Sequence, residues 1–253
     1  RNLLKMRLLQ RVQQRATHAR EQVLSVVAHD LRSPLASIVM DMEMLSHLLS
    51  EDEHAVQSRI VHRIERTAQR MHNLVEDLLE VSRLEHGTFA VRAQQVAPLA
   101  VFGEAESMLR PLAQARAIDL SFDGPSELPD VRADVERMLQ VFSNLIGNAL
   151  QFTGEGGHVR VSWRIEASEV VVTVADSGAG IPPELLPYAF DAFWQGNMSA
   201  RKGGVGLGLA ITRAIIEAQG GRIWIASIVG SGTTVHFTIP VASSAVSPRI
   251  AAL

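Results

Sequence analysis

The 253-residue chain contains no cysteine and one tyrosine. Without thiols it forms neither disulfides nor thiolate metal sites, which fits a reducing compartment. No apolar run approaches the roughly 20 residues that cross a bilayer, and nothing at the start resembles a signal peptide. The expected location is therefore cytoplasmic, either free or as the cytoplasmic part of a membrane-bound protein. A basic excess is lacking too, since the formal net charge is -3. That argues against a protein whose main work is coating nucleic acid. The basic charge gathers early: Arg1, Lys5, Arg7, Arg11, Arg15 and Arg20 all precede the first acidic residue. Residues 1–23 read as a solvated linker helix that leads into the first long helical pattern. With 47% hydrophobic residues, the chain can bury a sizeable core in one or two domains.

Periodicity changes near residue 87. Before it, Ala28, Leu31, Leu35, Ile38, Met42, Leu45 and Leu49 recur at alternating spacings of three and four. After the polar break "SEDEH", the rhythm resumes at Ile60, Ile64, Thr67, Met71, Leu74, Leu78 and Val81, until Gly87 ends it. Such seams predict two long helices in an antiparallel hairpin over 24–87, with apolar surface left for a second copy. The expectation is a homodimeric four-helix bundle. From 88 to 241 the pattern is mixed. "PLAVFGEAESMLRPLAQAR" and "DVERMLQVFSNLIGNALQFT" read as helices starting at Pro98 and Asp134. "AIDLSF", "HVRVSWRIEA", "EVVVTVAD", "RIWIASI" and "TTVHFTIP" read as strands, the last two pairs as hairpins. The class predicted is α+β: a helical hairpin followed by an α/β sandwich with a mixed sheet. Residues 242–253 are expected to form a flexible tail.

Inside the first helical pattern stands "SVVAHDLRSPLASI", residues 25–38. With Ala28 and Leu31 on the seam, His29 turns towards water. Asp30 is placed to orient an imidazole or accept its proton, which makes the other ring nitrogen more nucleophilic. Pro34 removes the N–H that would bond the Asp30 carbonyl, so the helix should bend beneath the histidine.

The second half carries four separated polar clusters. Asn144 and Asn148 share one helix face in "NLIGNALQFT", and an amide oxygen is a hard donor that suits Mg²⁺; capping or surface asparagines would share this spacing. "VADSGAGIP" ends a strand at Asp176, where Gly178 and Gly180 let backbone approach a planar ligand and the carboxylate can accept from an amine; an ordinary Asx turn has the same residues. "GGVGLGLAI" opens a helix through Gly203, Gly204, Gly206 and Gly208, aiming N–H groups at an anion. It lacks the Lys-Ser/Thr ending of a Walker loop. "GSGTTVHF" puts Gly230 and Gly232 at a tight turn.

Taken together, these residues resemble a known family. "HDLRSPL" is similar to the phosphoacceptor box of the sensor histidine kinases, and the ordered clusters resemble the gyrase-type catalytic ATP-binding domain that accompanies it. The resemblance covers about residues 24 to 240. It implies that His29 is autophosphorylated from ATP, with Asp30 as acid/base partner and Arg32 holding charge near the phosphate. Ser33 stands where the family positions water for dephosphorylating its partner. It implies Asn148 as Mg²⁺ ligand with Asn144 one turn earlier, Asp176 as acceptor for the adenine amino group, and Gly178 and Gly180 shaping that pocket. Gly204, Gly206, Leu207 and Gly208 match the phosphate-side loop, Gly232 and Thr233 the turn on the adenine side. Phe190 and Phe193 match the aromatic box beside a lid over 194–204, in which Arg201 and Lys202 could meet the triphosphate. The partners implied are a second copy, an upstream sensory domain and the receiver domain of a response regulator, whose aspartate takes the phosphoryl group. Gln151 departs from the family's lysine or arginine. A dimeric, non-catalytic ATP-binding adapter is the rival reading. A gyrase-like ATPase is disfavoured because Asn144 occupies the place of the catalytic glutamate.

Overall fold

The computed structural model describes residues 34–36, 38–42, 44–45, 54–85, 89–194 and 206–242. They fall into two compact units, residues 1–80 and 81–253. In the first, helical residues between Pro34 and Leu45 precede α1 (His54–Glu85). The α1 seam is laid out as its spacing predicts: Ile60, Leu74 and Val81 are buried, and Ile64, Thr67, Met71 and Leu78 half-buried. On the preceding helical segment, the seam residues Leu35 and Met42 remain exposed, along with Val39, Met40 and Met44. Asp41, one position from Met42, is 2% exposed instead. Its two carboxylate oxygens take the fork of Arg63, whose Nε lies 2.8 Å from Oδ2 while Nη2 meets Oδ1. A bidentate guanidinium supplies two charge-assisted bonds in fixed geometry, which lets a carboxylate sit in a helix contact that otherwise favours apolar groups.

The second unit is a five-stranded mixed sheet in the order β2-β4-β5-β7-β6, made of β2 (Asp119–Asp123), β4 (His158–Glu166), β5 (Glu169–Asp176), β6 (Ile223–Ile228) and β7 (Gly232–Pro240). β2 and β4 run parallel; every other pairing in the sheet is antiparallel. β5 lies at the centre, and its Val170, Val171, Val172 and Val174 are all buried, which is why it reads as a near-continuous valine run. A separate antiparallel ribbon pairs β1 (Gln94–Val96) with β3 (Val131–Ala133). Three residues per strand show no periodicity, and the sequence signalled neither.

Three helices pack on the sheet: α2 (Pro98–Gln114), α3 (Val135–Phe152) and α4 (Gly208–Ala218). Pro98 opens α2 at a position where its missing N–H costs nothing. Asp134 caps α3 by accepting from the Arg137 N–H at 3.2 Å. The inward stripe of α3, Met138, Val141, Phe142, Leu145, Ile146 and Ala149, follows the helical repeat and is fully buried. Rings join the layers edge to face: Phe142 meets Phe102 of α2 at 5.5 Å and Phe237 of β7 at 5.8 Å. Truncating Phe142 would open the middle of this stack, at a cost of about 3–5 kcal/mol.

Candidate nucleotide site

The loop after β5 and the turn between β6 and β7 are built against each other through backbone. Asp176 Oδ1 accepts two backbone N–H bonds, from Gly178 at 2.8 Å and from Thr233 at 3.2 Å. Gly230 N–H donates to the Ala179 carbonyl at 2.8 Å. At Gly232, with φ 112°, a Cβ would collide with the Asp176 carbonyl, and at Gly180, with φ 73°, with that of Ile228. Only glycine permits both the torsion and the approach. Asp176 Oδ2 has no protein partner among the described residues, so this half-buried carboxylate offers one free acceptor. Burial pushes its pKa above the usual carboxylate value, against the downward pull of the Gly178 and Thr233 N–H groups and of His158.

A second cluster lies at the start of α4. The Asn144 amide donates from Nδ2 to the Gly208 carbonyl at 3.2 Å and to Thr212 Oγ1 at 3.4 Å, and the Thr212 hydroxyl donates to the same carbonyl at 2.7 Å. Leu207, buried at 1% exposure, precedes α4 without a side-chain cap. The first-turn N–H groups therefore have no intrahelical acceptor and carry the positive end of the helix dipole. Gly206 sits in the left-handed region with φ 78°, and its carbonyl accepts from the Phe193 N–H at 2.9 Å. Phe193 itself has φ 65°, an uncommon torsion for an aromatic residue.

Helix α3 joins the two clusters. Asn148 is one turn from Asn144 and one turn from Phe152, whose carbonyl lies against Gly178 closely enough to exclude a Cβ. From Asn144 to Phe152 the helix rises about 12 Å, so anion-binding and acceptor ends are arranged along one elongated site. The half-buried Asn148 makes no side-chain hydrogen bond to another described residue, which leaves its amide oxygen available to a hard cation.

Asp176, Gly178, Gly180 and Thr233 are thus assembled at one end, and Asn144, Gly206, Leu207 and Gly208 at the other. Of the remaining expected residues, Lys202, Gly204 and Arg201, with most of the lid, lie outside the described residues, as do His29, Asp30, Arg32 and Ser33. Ser227 carries no sign of its role in the sequence. Its hydroxyl accepts from the Ile181 N–H at 2.7 Å, donates to the Gly232 carbonyl at 2.8 Å and meets Thr233 Oγ1 at 2.9 Å, bracing both loops. The available signal was a serine in phase with Ile223 and Ile225 on β6. Thr212 is equally silent; fully buried, it resembles any polar residue tolerated in a helix until its bond to Gly208 is seen.

Residues 133–243 match the family model of histidine kinase-, DNA gyrase B- and HSP90-like ATPases, and residues 19–87 that of the His Kinase A phospho-acceptor domain. The adaptive-response sensory kinase SasA of Synechocystis sp. is 33% identical over 242 residues, 94% of this chain and 62% of that protein. SasA of Parasynechococcus marenigrum is 38% identical over 228 residues, 88% of this chain and 57% of that protein. The chain thus spans about three-fifths of the length of these curated relatives. Among solved structures, the catalytic domain of the histidine kinase ThkA is similar at 31% identity and TM-score 0.53, covering 60% of this chain and 97% of that one. ThkA in complex with the response regulator TrrA is similar at 27% identity and TM-score 0.67, covering 87% and 61%. ShkA in complex with AMPPNP is similar at 28% identity and TM-score 0.64, covering 88% and 46%. A phospho-acceptor segment followed by an ATPase domain of this type, over a fold whose separated clusters close on one site, places the chain in the histidine kinase family.

Proposed function

We propose that the chain is the ATP-dependent kinase core of a two-component system, which phosphorylates its own His29 and passes the phosphoryl group to an aspartate on a response-regulator receiver domain. The observation that carries this reading is the construction of the nucleotide site: a backbone-locked carboxylate with one free oxygen, an uncapped helix start, and an unpartnered asparagine amide between them. Asp176 Oδ2 would accept from the adenine amino group, while Gly178, Gly180 and Thr233 hold that carboxylate and wall the base. The first-turn N–H groups of α4 beyond Gly206 and Leu207 would take phosphate oxygens, with Lys202 and Gly204 on the same side. Asn148 would supply one oxygen ligand to Mg²⁺, a hard cation that also takes phosphate and water oxygens. When bound, the metal would offset part of the charge on the phosphate oxygens, and the work of these residues would be to position the γ-phosphoryl group for transfer. Asn144 is committed as a donor to Gly208 and Thr212 and is not a base, which supports transfer to a side chain over hydrolysis by an activated water.

In this proposal residues 24–87 form the phosphotransfer and dimerisation hairpin and 88–241 the catalytic domain. The exposed Leu35, Met42, Val61, Val75 and Leu79 form apolar surface suited to a second copy in a homodimer. Residues 1–23 would relay from a sensory domain, 242–253 would be a flexible tail, and Ser33 would serve any phosphatase activity. The test is incubation of the full chain with γ-labelled ATP and Mg²⁺. Acid-labile, base-stable label is expected on the wild type and none on His29→Asn. Equal labelling of the variant overturns the assignment of His29, and ATP binding without any label supports an adapter instead.

A further inference from the structure

The proposed nucleotide site occupies one end of the α3/α4 pair, and a polar node holds the other end. Gln219, 9% exposed, sits at the end of α4. Its Oε1 accepts from the Asp134 N–H at 2.6 Å, and its Nε2 donates to the Ile215 carbonyl at 3.2 Å and approaches Met138 Sδ at 3.7 Å. Asp134 is the residue that caps α3. Its second oxygen, Oδ2, accepts from the backbone N–H of Arg92 at 2.8 Å. Nearby, the Arg137 guanidinium lies 5.0 Å from the ring centre of Phe89. Residues 89–92, which lead into the catalytic unit, are therefore fastened twice to the start of α3.

Accepting the nucleotide site proposed above, we propose that Gln219 and Asp134 are positioning residues for it, and that the backbone of Arg92 couples the entering segment to it. Between the node and the site, α3 and α4 pack on each other, and Met138 and Phe142 of the one and Ile211 and Ile215 of the other are fully buried. Apolar contact is non-directional and tolerates sliding. Hydrogen bonds do not, because their strength falls steeply with misalignment. The two helices are thus pinned at two places: Asn144 on Gly208 and Thr212 at the ligand end, and Gln219 on Asp134 at the far end, about 15 Å away along either axis. A shift of one helix along the other strains both pins together. Releasing the far pin lets the Gly206–Gly208 turn drift relative to Asn144 and Asn148, and a misplacement near 1 Å is enough to cost a transfer reaction about a hundredfold.

The test uses the full chain. Gln219→Met keeps the length and volume of the side chain and deletes the amide. Arg92→Pro deletes the N–H that bonds Asp134, together with the side chain and the freedom of φ, and Arg92→Ala, which keeps that N–H, is the control for the side chain. Two readouts are taken: the Kd for Mg-ATP, and backbone amide exchange without nucleotide. For Gln219→Met the expected results are a Kd raised about fivefold or more, the range of an ordinary coupling between distant sites, and faster exchange at Ile211 and Thr212 with β5 and β7 unchanged. Arg92→Pro should shift the same readouts in the same direction and Arg92→Ala should not. Exchange rising evenly over the whole unit, or wild-type exchange and affinity in folded Gln219→Met, overturns the proposal. If Gln219→Met does not fold, wild-type exchange and affinity in Arg92→Pro overturn it alone. Wild type that binds no ATP defeats the nucleotide site, while selective exchange in the variants still upholds the node.

Discussion

Replacing Asp176 by asparagine separates the two jobs of that side chain. The amide oxygen can still accept from the Gly178 and Thr233 N–H groups, which lie 2.8 and 3.2 Å from Oδ1. The other oxygen becomes an NH₂ group, so a donor now faces the adenine amino group and the charge is gone. Loss of a hydrogen bond to a charged acceptor is worth about 1.5–3 kcal/mol. At 1.4 kcal/mol per decade, that raises the Kd for ATP by about 10- to 150-fold. Stability should move the other way. Burial raises the Asp176 pKa in the folded state, so its contribution to stability is present at low pH and is lost as pH rises through the folded value. At pH 7.5 the neutral asparagine avoids that desolvation, and Tm should be unchanged or higher. The assay is displacement of a fluorescent ATP analogue in Mg²⁺, with thermal melts at pH 7.5. Wild-type affinity in a folded variant refutes the assignment of the free oxygen to the base; collapse of the fold refutes the claim that an amide oxygen at the Oδ1 position can keep both N–H bonds.

Particular contacts elsewhere in the molecule set three further outcomes. Arg63→Leu strands the Asp41 carboxylate, whose side chain is 3% exposed, and should cost about 3–5 kcal/mol, whereas Asp41→Leu leaves a half-exposed guanidinium that water can solvate and should cost about 1 kcal/mol or less. Urea unfolding giving the reverse order would show that the pair is not buried on the aspartate side. Asp77 on α1 is raised from 3.8 to about 6, first by burial and then by Glu80, so its stabilising contribution is complete below about pH 4 and disappears as pH rises through 6. Asp77→Asn should melt higher than wild type at pH 7.5 and level with it at pH 4; a difference that does not change with pH contradicts the shift. Ser227→Ala leaves the Ile181 N–H and the Gly232 carbonyl without their partner, which should lower stability by about 1–3 kcal/mol and raise the Kd for ATP several-fold without touching the ligand. Calorimetry showing unchanged nucleotide affinity would remove Ser227 from the bracing role.

Periodicity carried what depends on period. The valine run of β5 and the inward stripe of α3 are buried and the α1 seam is buried or half-buried, whereas Leu35 and Met42 of the preceding seam stay exposed. The clusters of the site were legible as types, because a glycine that must sit under a carbonyl and a carboxylate at a strand end leave a recognisable order. Partnerships were not legible. Asp41 beside Met42 carries no mark that it will be buried on Arg63, since nothing local says which charge a helix contact will enclose. Gln219 and Asp134 are 85 residues apart in sequence, and their bond exists only once α3 and α4 lie side by side. The parallel pairing of β2 with β4 also has no signature in either strand, because α3 and β3 intervene between them and the alternation of each strand is the same in either direction.

The two ends of the site differ in how finished they are, and the difference comes from which groups build them. At the carboxylate end the loops are already tied to each other: backbone lies against backbone at Gly232 and Gly180, and Ser227 joins the two loops, leaving Asp176 Oδ2 without a partner among the described residues. Such a pocket is preorganised, so little ordering is required when a flat base enters it. At the helix end the first-turn N–H groups of α4 and the Asn148 amide have no side-chain partner among the described residues, and one loop residue cannot satisfy several N–H groups and a hard cation at once. A metal-bound polyphosphate can. On the proposed reading, the carboxylate end would contribute selection by shape and one hydrogen bond, while the helix end would contribute binding that needs phosphate and metal together. Asn144 bonds Gly208 and Thr212 at that end and Gln219 bonds Asp134 at the other, so the proposed coupling rests on the register of α3 against α4.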